Sequence, residues 1–63
     1  MSIVISTYTA GRYTSKVFAD AMVEVQKDGI TFDRPGPWGD VQGAQGWAEL
    51  IVNKYDLEDK ESN

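Results

Sequence analysis

Thr14-Ser15-Lys16-Val17-Phe18-Ala19-Asp20-Ala21-Met22-Val23-Glu24-Val25 is the stretch that decides the fold. Val17, Ala19, Ala21, Val23 and Val25 alternate as the buried face of a strand does, while Val17, Phe18, Ala21, Met22 and Val25 also make a helical stripe. What lies on either side favours the strand. Downstream, Lys27-Asp28-Gly29-Ile30 sets an Asp-Gly pair between apolar alternations, the strongest short-range signal of a hairpin. Upstream, Ala10-Gly11 separates Ile3–Thr9 from Tyr13-Thr14, both rich in β-branched and aromatic residues. Two turns bracketing the segment predict one long, bent strand over 14–25. The alternative is a short helix there, in the order β-α-β-β-α.

Further on, Ala44, Trp47, Ala48, Ile51, Val52 and Tyr55 recur at the spacing of one helix face, with Val41 at its start. Gln42, Gln45, Glu49 and Asn53 take the opposite face. Asp40 precedes the run, where its carboxylate accepts from the free amides of the first turn. The pattern predicts a helix from 41 to 56 with Ile51 at the centre of its buried stripe and Trp47 in the core. Gly43 and Gly46 weaken the first turns by about 1 kcal/mol each relative to alanine. Gly46 falls on the polar face, which reads either as an irregular first turn or as a place where a partner's backbone comes close.

The fold expected is therefore α+β: a three-stranded antiparallel meander with one C-terminal amphipathic helix packed on one face. Residues 1–56 form a single domain, and the charged residues 57–63 form a frayed tail. The sheet's other face, with Phe18 and Met22 among Lys16, Asp20 and Glu24, is expected to stay partly open. A homodimer covering it would supply missing core, because a chain this short buries only about 60% of the surface its unfolded form exposes.

The chain has no cysteine and no histidine, which removes disulfides, the usual zinc and haem ligands, the thiolate nucleophile and the imidazole base. The serines have no activating base beside them in any motif, and the glycines at 36, 39, 43 and 46 match no nucleotide fingerprint. Asp20, Glu24 and Asp28, spaced by four, read as a solvated acidic face rather than a metal site. No catalytic residue, metal or cofactor is expected. The net charge of −4 disfavours direct contact with nucleic acid. The start of the chain is neither basic nor apolar enough for a signal peptide, and no run suits a membrane span. A cytoplasmic, non-enzymatic protein is the expectation.

Asp33-Arg34-Pro35-Gly36-Pro37-Trp38-Gly39-Asp40 is the segment most suited to binding. Two prolines stiffen a loop that carries tryptophan and arginine, the residues most enriched at interface hot spots. Asp33, Arg34, Trp38 and Asp40 are the expected contact residues, unless Trp38 folds back as a lid on the core. Phe18, Asp20, Met22 and Glu24 form a second expected interface. The acidic flanks suit a larger protein with a basic, nucleic-acid-binding groove. In size, acidity and lack of cysteine and histidine, the chain resembles the stoichiometric inhibitors that bacteriophages direct against host machinery, anti-CRISPR proteins among them. That resemblance implies an inhibitor. The other expectation is a structural or regulatory subunit, or homodimeric adaptor, whose acidic surface is only solubilising.

Overall fold

A computed structural model of the chain describes residues 3–36 and 38–61; Met1, Ser2, Pro37, Ser62 and Asn63 lie outside the described residues. Four strands, β1 (Val4–Ala10), β2 (Tyr13–Phe18), β3 (Val23–Lys27) and β4 (Ile30–Asp33), precede one helix, α1 (Val41–Glu61). The strands form an antiparallel meander in the order β1-β2-β3-β4. The α+β class and the single C-terminal helix stand as expected.

Both predicted hairpins form. Gly11 takes φ 60° at the first central position of the β1–β2 turn, and Ala10 pairs with Tyr13. In the β3–β4 turn Asp28 and Gly29 both have positive φ, 53° and 84°, the requirement of a type I′ turn. Arg12 and Asp28 tie the two turns together by a side-chain ion pair at 2.8 Å and a backbone hydrogen bond from Asp28 N–H to the Arg12 carbonyl.

The long strand over 14–25 is instead two strands, which makes the sheet four-stranded rather than three-stranded. The chain reverses at residues 19–22: Ala21 N–H donates to the Phe18 carbonyl at 3.0 Å, and Phe18 N–H donates to the Met22 carbonyl at 2.9 Å. Ala21 takes the left-handed position of this turn at φ 67°, and the Asp20 carboxylate accepts from Met22 N–H. No helix forms here, so the β-α-β-β-α order does not arise.

Alternation along β2 and β3 sends Tyr13, Ser15, Val17, Val23 and Val25 inward. They meet Ala44, Ala48 and Val52, and Ala21 closes the cluster at one end. The two alanines let the helix backbone lie close to the sheet. Fully burying each of the valines stabilises by about 1.5–3 kcal/mol relative to leaving it exposed. Ile51 packs at the margin of this core rather than its centre, and Val52 occupies the centre. Trp47, expected in the core, is 50% exposed. The helix lies chiefly over β2, flanked by β1 and β3, and its backbone does not reach β4. Residues 57–61, expected as tail, continue the helix, with Lys60 bridging back to Asp56 at 3.1 Å.

Candidate partner-binding surface

The loop after β4 folds back on the end of the molecule where β2 turns into β3. Trp38 N–H donates to the Ala21 carbonyl at 3.4 Å, and its indole packs on the core and stacks on Trp47, ring centroids 5.3 Å apart and 9° from parallel. Gly36, at φ 118°, passes beside the Trp38 ring, where an added Cβ would lie 3.4 Å from it. The position thus needs glycine for its dihedral angle and admits it for its closeness. Trp38 occupies the lid position, with its Nε1 buried and lacking a hydrogen-bond partner among the described residues. The exposed half of the aromatic pair is Trp47.

The other loop residues divide by task. Asp40 caps the helix: its carboxylate accepts from Gly43 N–H at 2.6 Å and its carbonyl from Ala44 N–H at 3.0 Å. Asp33 accepts from Arg34 N–H at 2.9 Å and lies against the Tyr55 hydroxyl. Burial first, then the Asp33 charge and hydrogen bond, push the Tyr55 phenol above its ordinary range. Both aspartates therefore support the fold directly. Arg34 reaches across to Glu24, Nε to Oε1 at 3.3 Å, and its side chain remains two-thirds exposed.

That ion pair joins the two expected interfaces. Phe18, Asp20, Met22, Val23, Glu24 and Arg34 surround one shallow depression of about 260 Å³. Phe18 and Met22 are half-buried here, and Val4, opposite Phe18 on β1, extends the apolar rim. Elsewhere the open sheet face is polar, with Thr9 facing Thr14, Lys16 beside Glu24, and Gln26 donating to Thr31. Asp20, Glu24 and Asp28 do not converge; Asp28 is at the opposite end of β3, where the hydrogen bond from Arg12 holds its carboxyl below the usual range. Among the described residues no three Asp or Glu gather in metal-binding geometry.

Sequence reasoning missed the apolar residues that the helix and β4 leave uncovered. Trp47, Leu50 and Leu57 lie along the outer side of α1, with Leu50 61% exposed. Phe32, 47% exposed, contacts Tyr13 and Tyr55 from the inner side of β4, at ring distances of 6.1 and 5.2 Å. Leu50 and Leu57 fall outside the buried stripe at helical spacing, and that was the available signal. Comparison with protein-family models, curated proteins and solved structures returned no match. No helix is long and apolar enough to cross a membrane, among the described residues.

Proposed function

We propose that this protein acts without catalysis, by binding a larger protein in a one-to-one complex and blocking it, through the end of the molecule where the 33–40 loop, the β2–β3 turn and the first turns of α1 meet. The observation that carries the reading is the Trp38–Trp47 stack: a rigid aromatic pair, half open to solvent, with Leu50 one turn further along the helix. A preordered aromatic anchor loses little entropy on binding, which is what a hot spot requires. Arg34, Asp20 and Glu24 supply a polar rim around Phe18 and Met22. The net charge of −4 favours a partner with a basic groove, of the kind that holds nucleic acid, and such a target places the protein in the cytoplasm.

The test uses immobilised protein and extract of the source cell, followed by titration of the purified partner. One protein should be retained in equimolar amount, its activity falling linearly to equivalence. Leu50→Asp, at an exposed position, should weaken binding at least about tenfold with an unchanged thermal midpoint. Trp47→Ala should weaken binding as well, while lowering stability by about 0.5–1.5 kcal/mol for the aromatic pair plus the contribution of its half-buried ring area, so binding is compared at a temperature where both proteins are folded. Affinity should fall as salt rises. Binding indifferent to both substitutions, or an effect at far less than equimolar protein, overturns the proposal.

A further inference from the structure

The two edges of the sheet are treated differently. β4 is four residues long, is bulged at Phe32, and runs into Asp33, Arg34 and Pro35. Charge, proline, bulge and brevity are the devices by which sheets keep other strands away. β1 is seven residues long, Val-Ile-Ser-Thr-Tyr-Thr-Ala, without a charge or a proline. Its one irregularity is a bulge at Ile5, which leaves Ser6–Ala10 as a regular edge.

The hairpin register determines what that edge offers. Across a two-residue turn the closing pair, Ala10 with Tyr13, is hydrogen-bonded, and so are the alternate pairs Tyr8–Ser15 and Ser6–Val17. The amides and carbonyls of Thr7 and Thr9 consequently point away from β2. We propose that a second copy of the chain pairs along β1, antiparallel, with Thr7 of one copy opposite Thr9 of the other, joining the two sheets into one. This surface is separate from the end assigned to the partner protein above.

The occupant is a second copy because this register is self-complementary. Thr7 and Thr9 exchange both backbone bonds on each side of the two-fold axis, and their side chains make threonine–threonine pairs on the open face. Tyr8 meets the other copy's Tyr8 on the axis, and Ser6 meets Ala10. Cross-strand aromatic and threonine pairs are among the favourable ones. The strand is neutral although the chain carries −4, so the seam itself contains no like-charge pair. The helices clear one another: with each chiefly over its own β2, they stand three strand spacings apart, about 14 Å, against 8–10 Å for helices in contact. Pairing consumes the unprotected edge and leaves two blunted β4 edges, so assembly closes at the dimer.

Sedimentation equilibrium of the full chain, with amide exchange by NMR, tests this. Dimer should form with rising concentration, and the Thr7 and Thr9 amides should gain protection in step with it. Added salt should strengthen it, because the two acidic bodies repel; this is opposite to the dependence expected for the basic partner. Thr9→Pro removes an edge N–H that β2 does not use, so it should keep the fold and yield monomer. Should that variant unfold, Thr7→Glu with Thr9→Glu retains every backbone bond and sets like charges opposite each other, weakening the dimer at least about tenfold. Leu50→Asp should leave dimerisation unchanged. A wild-type chain that is monomeric at about 1 mM with fast-exchanging Thr7 and Thr9 amides overturns the proposal, as does a dimer that both β1 variants spare.

Discussion

Ala21 stands at φ 67° with its methyl group buried in the core, a combination that L-residues with a Cβ seldom adopt. The left-handed region costs such a residue about 1–2 kcal/mol. Glycine would relieve that cost and lose about 0.8 kcal/mol of methyl burial. Ala21→Gly should therefore fall within about 1 kcal/mol of wild type. Ala21→Val, which would favour a continuous strand over 14–25, should instead destabilise by about 1–3 kcal/mol or more, since a branched side chain adds overpacking to backbone strain. Urea unfolding of the two variants checks both values; a stabilised valine variant would contradict the turn. The same residue explains why the reversal was not legible. A turn is read from glycine, asparagine or proline, and here the left-handed position is held by alanine, inside an alternation that continues across it. The sole local cue was Asp20, whose carboxylate receives Met22 N–H, and aspartate alone did not distinguish a turn from an exposed strand position.

At the scale of the element, α1 starts where the aspartate cap places it. Asp40→Ala should cost about 1 kcal/mol, and Asp40→Asn or Asp40→Ser far less, because the capping acceptor survives. The two early glycines separate cleanly. A Cβ at Gly46 meets nothing within 4 Å, so Gly46→Ala should raise stability by about 1 kcal/mol. A Cβ at Gly43 would come within 3.0 Å of the capping Asp40 oxygen, so the same change there should gain less or nothing. Thermal melts of the Asp40, Gly43 and Gly46 variants check these outcomes. If Gly46→Ala stabilises the fold yet weakens partner binding, the glycine serves close approach rather than helix irregularity. The helix stripe was legible from periodicity, yet its edges were not. Trp47 and Ile51 each precede a residue of the contact line through Ala44, Ala48 and Val52 by one position, about 100° around the helix, and what covers them depends on the width of sheet beneath.

For the whole molecule, the joint between sheet and helix is the cluster of Tyr13, Phe32 and Tyr55, with Tyr13 and Tyr55 stacked at 5.5 Å. Tyr55 ties strand β4 to a helix whose backbone does not reach it, through Phe32 and Asp33. Its phenol is raised above the ordinary value of 10.0, by burial first and by the Asp33 charge next. The fold thus holds the phenolic proton more tightly than the unfolded chain does. The stability this provides is complete below about pH 10 and is lost as pH rises through the higher folded value. Thermal midpoints between about pH 9 and pH 12 should fall for wild type and fall less steeply for Tyr55→Phe. Parallel curves would mean that Tyr55 is not linked to folding.

Features decided within a few residues of chain were determined by the sequence alone: the Asp28-Gly29 and Gly11 turns, the Asp40 cap, the Ala44–Ala48–Val52 stripe and the α+β class. Short-range sterics and hydrogen bonding suffice for the turns and the cap, and the period of apolar residues along the chain suffices for the stripe and the class. Tertiary structure decided the number of strands, because Ala21 accepts a left-handed backbone in return for a buried methyl and the pairing of β2 with β3. It also decided that Trp38 lies inward while Trp47 and Leu50 face out, and that the free amides of the open edge belong to Thr7 and Thr9. Those outcomes depend on which strand a residue meets and how far the helix extends over the sheet, and both are settled by contacts between distant parts of the chain.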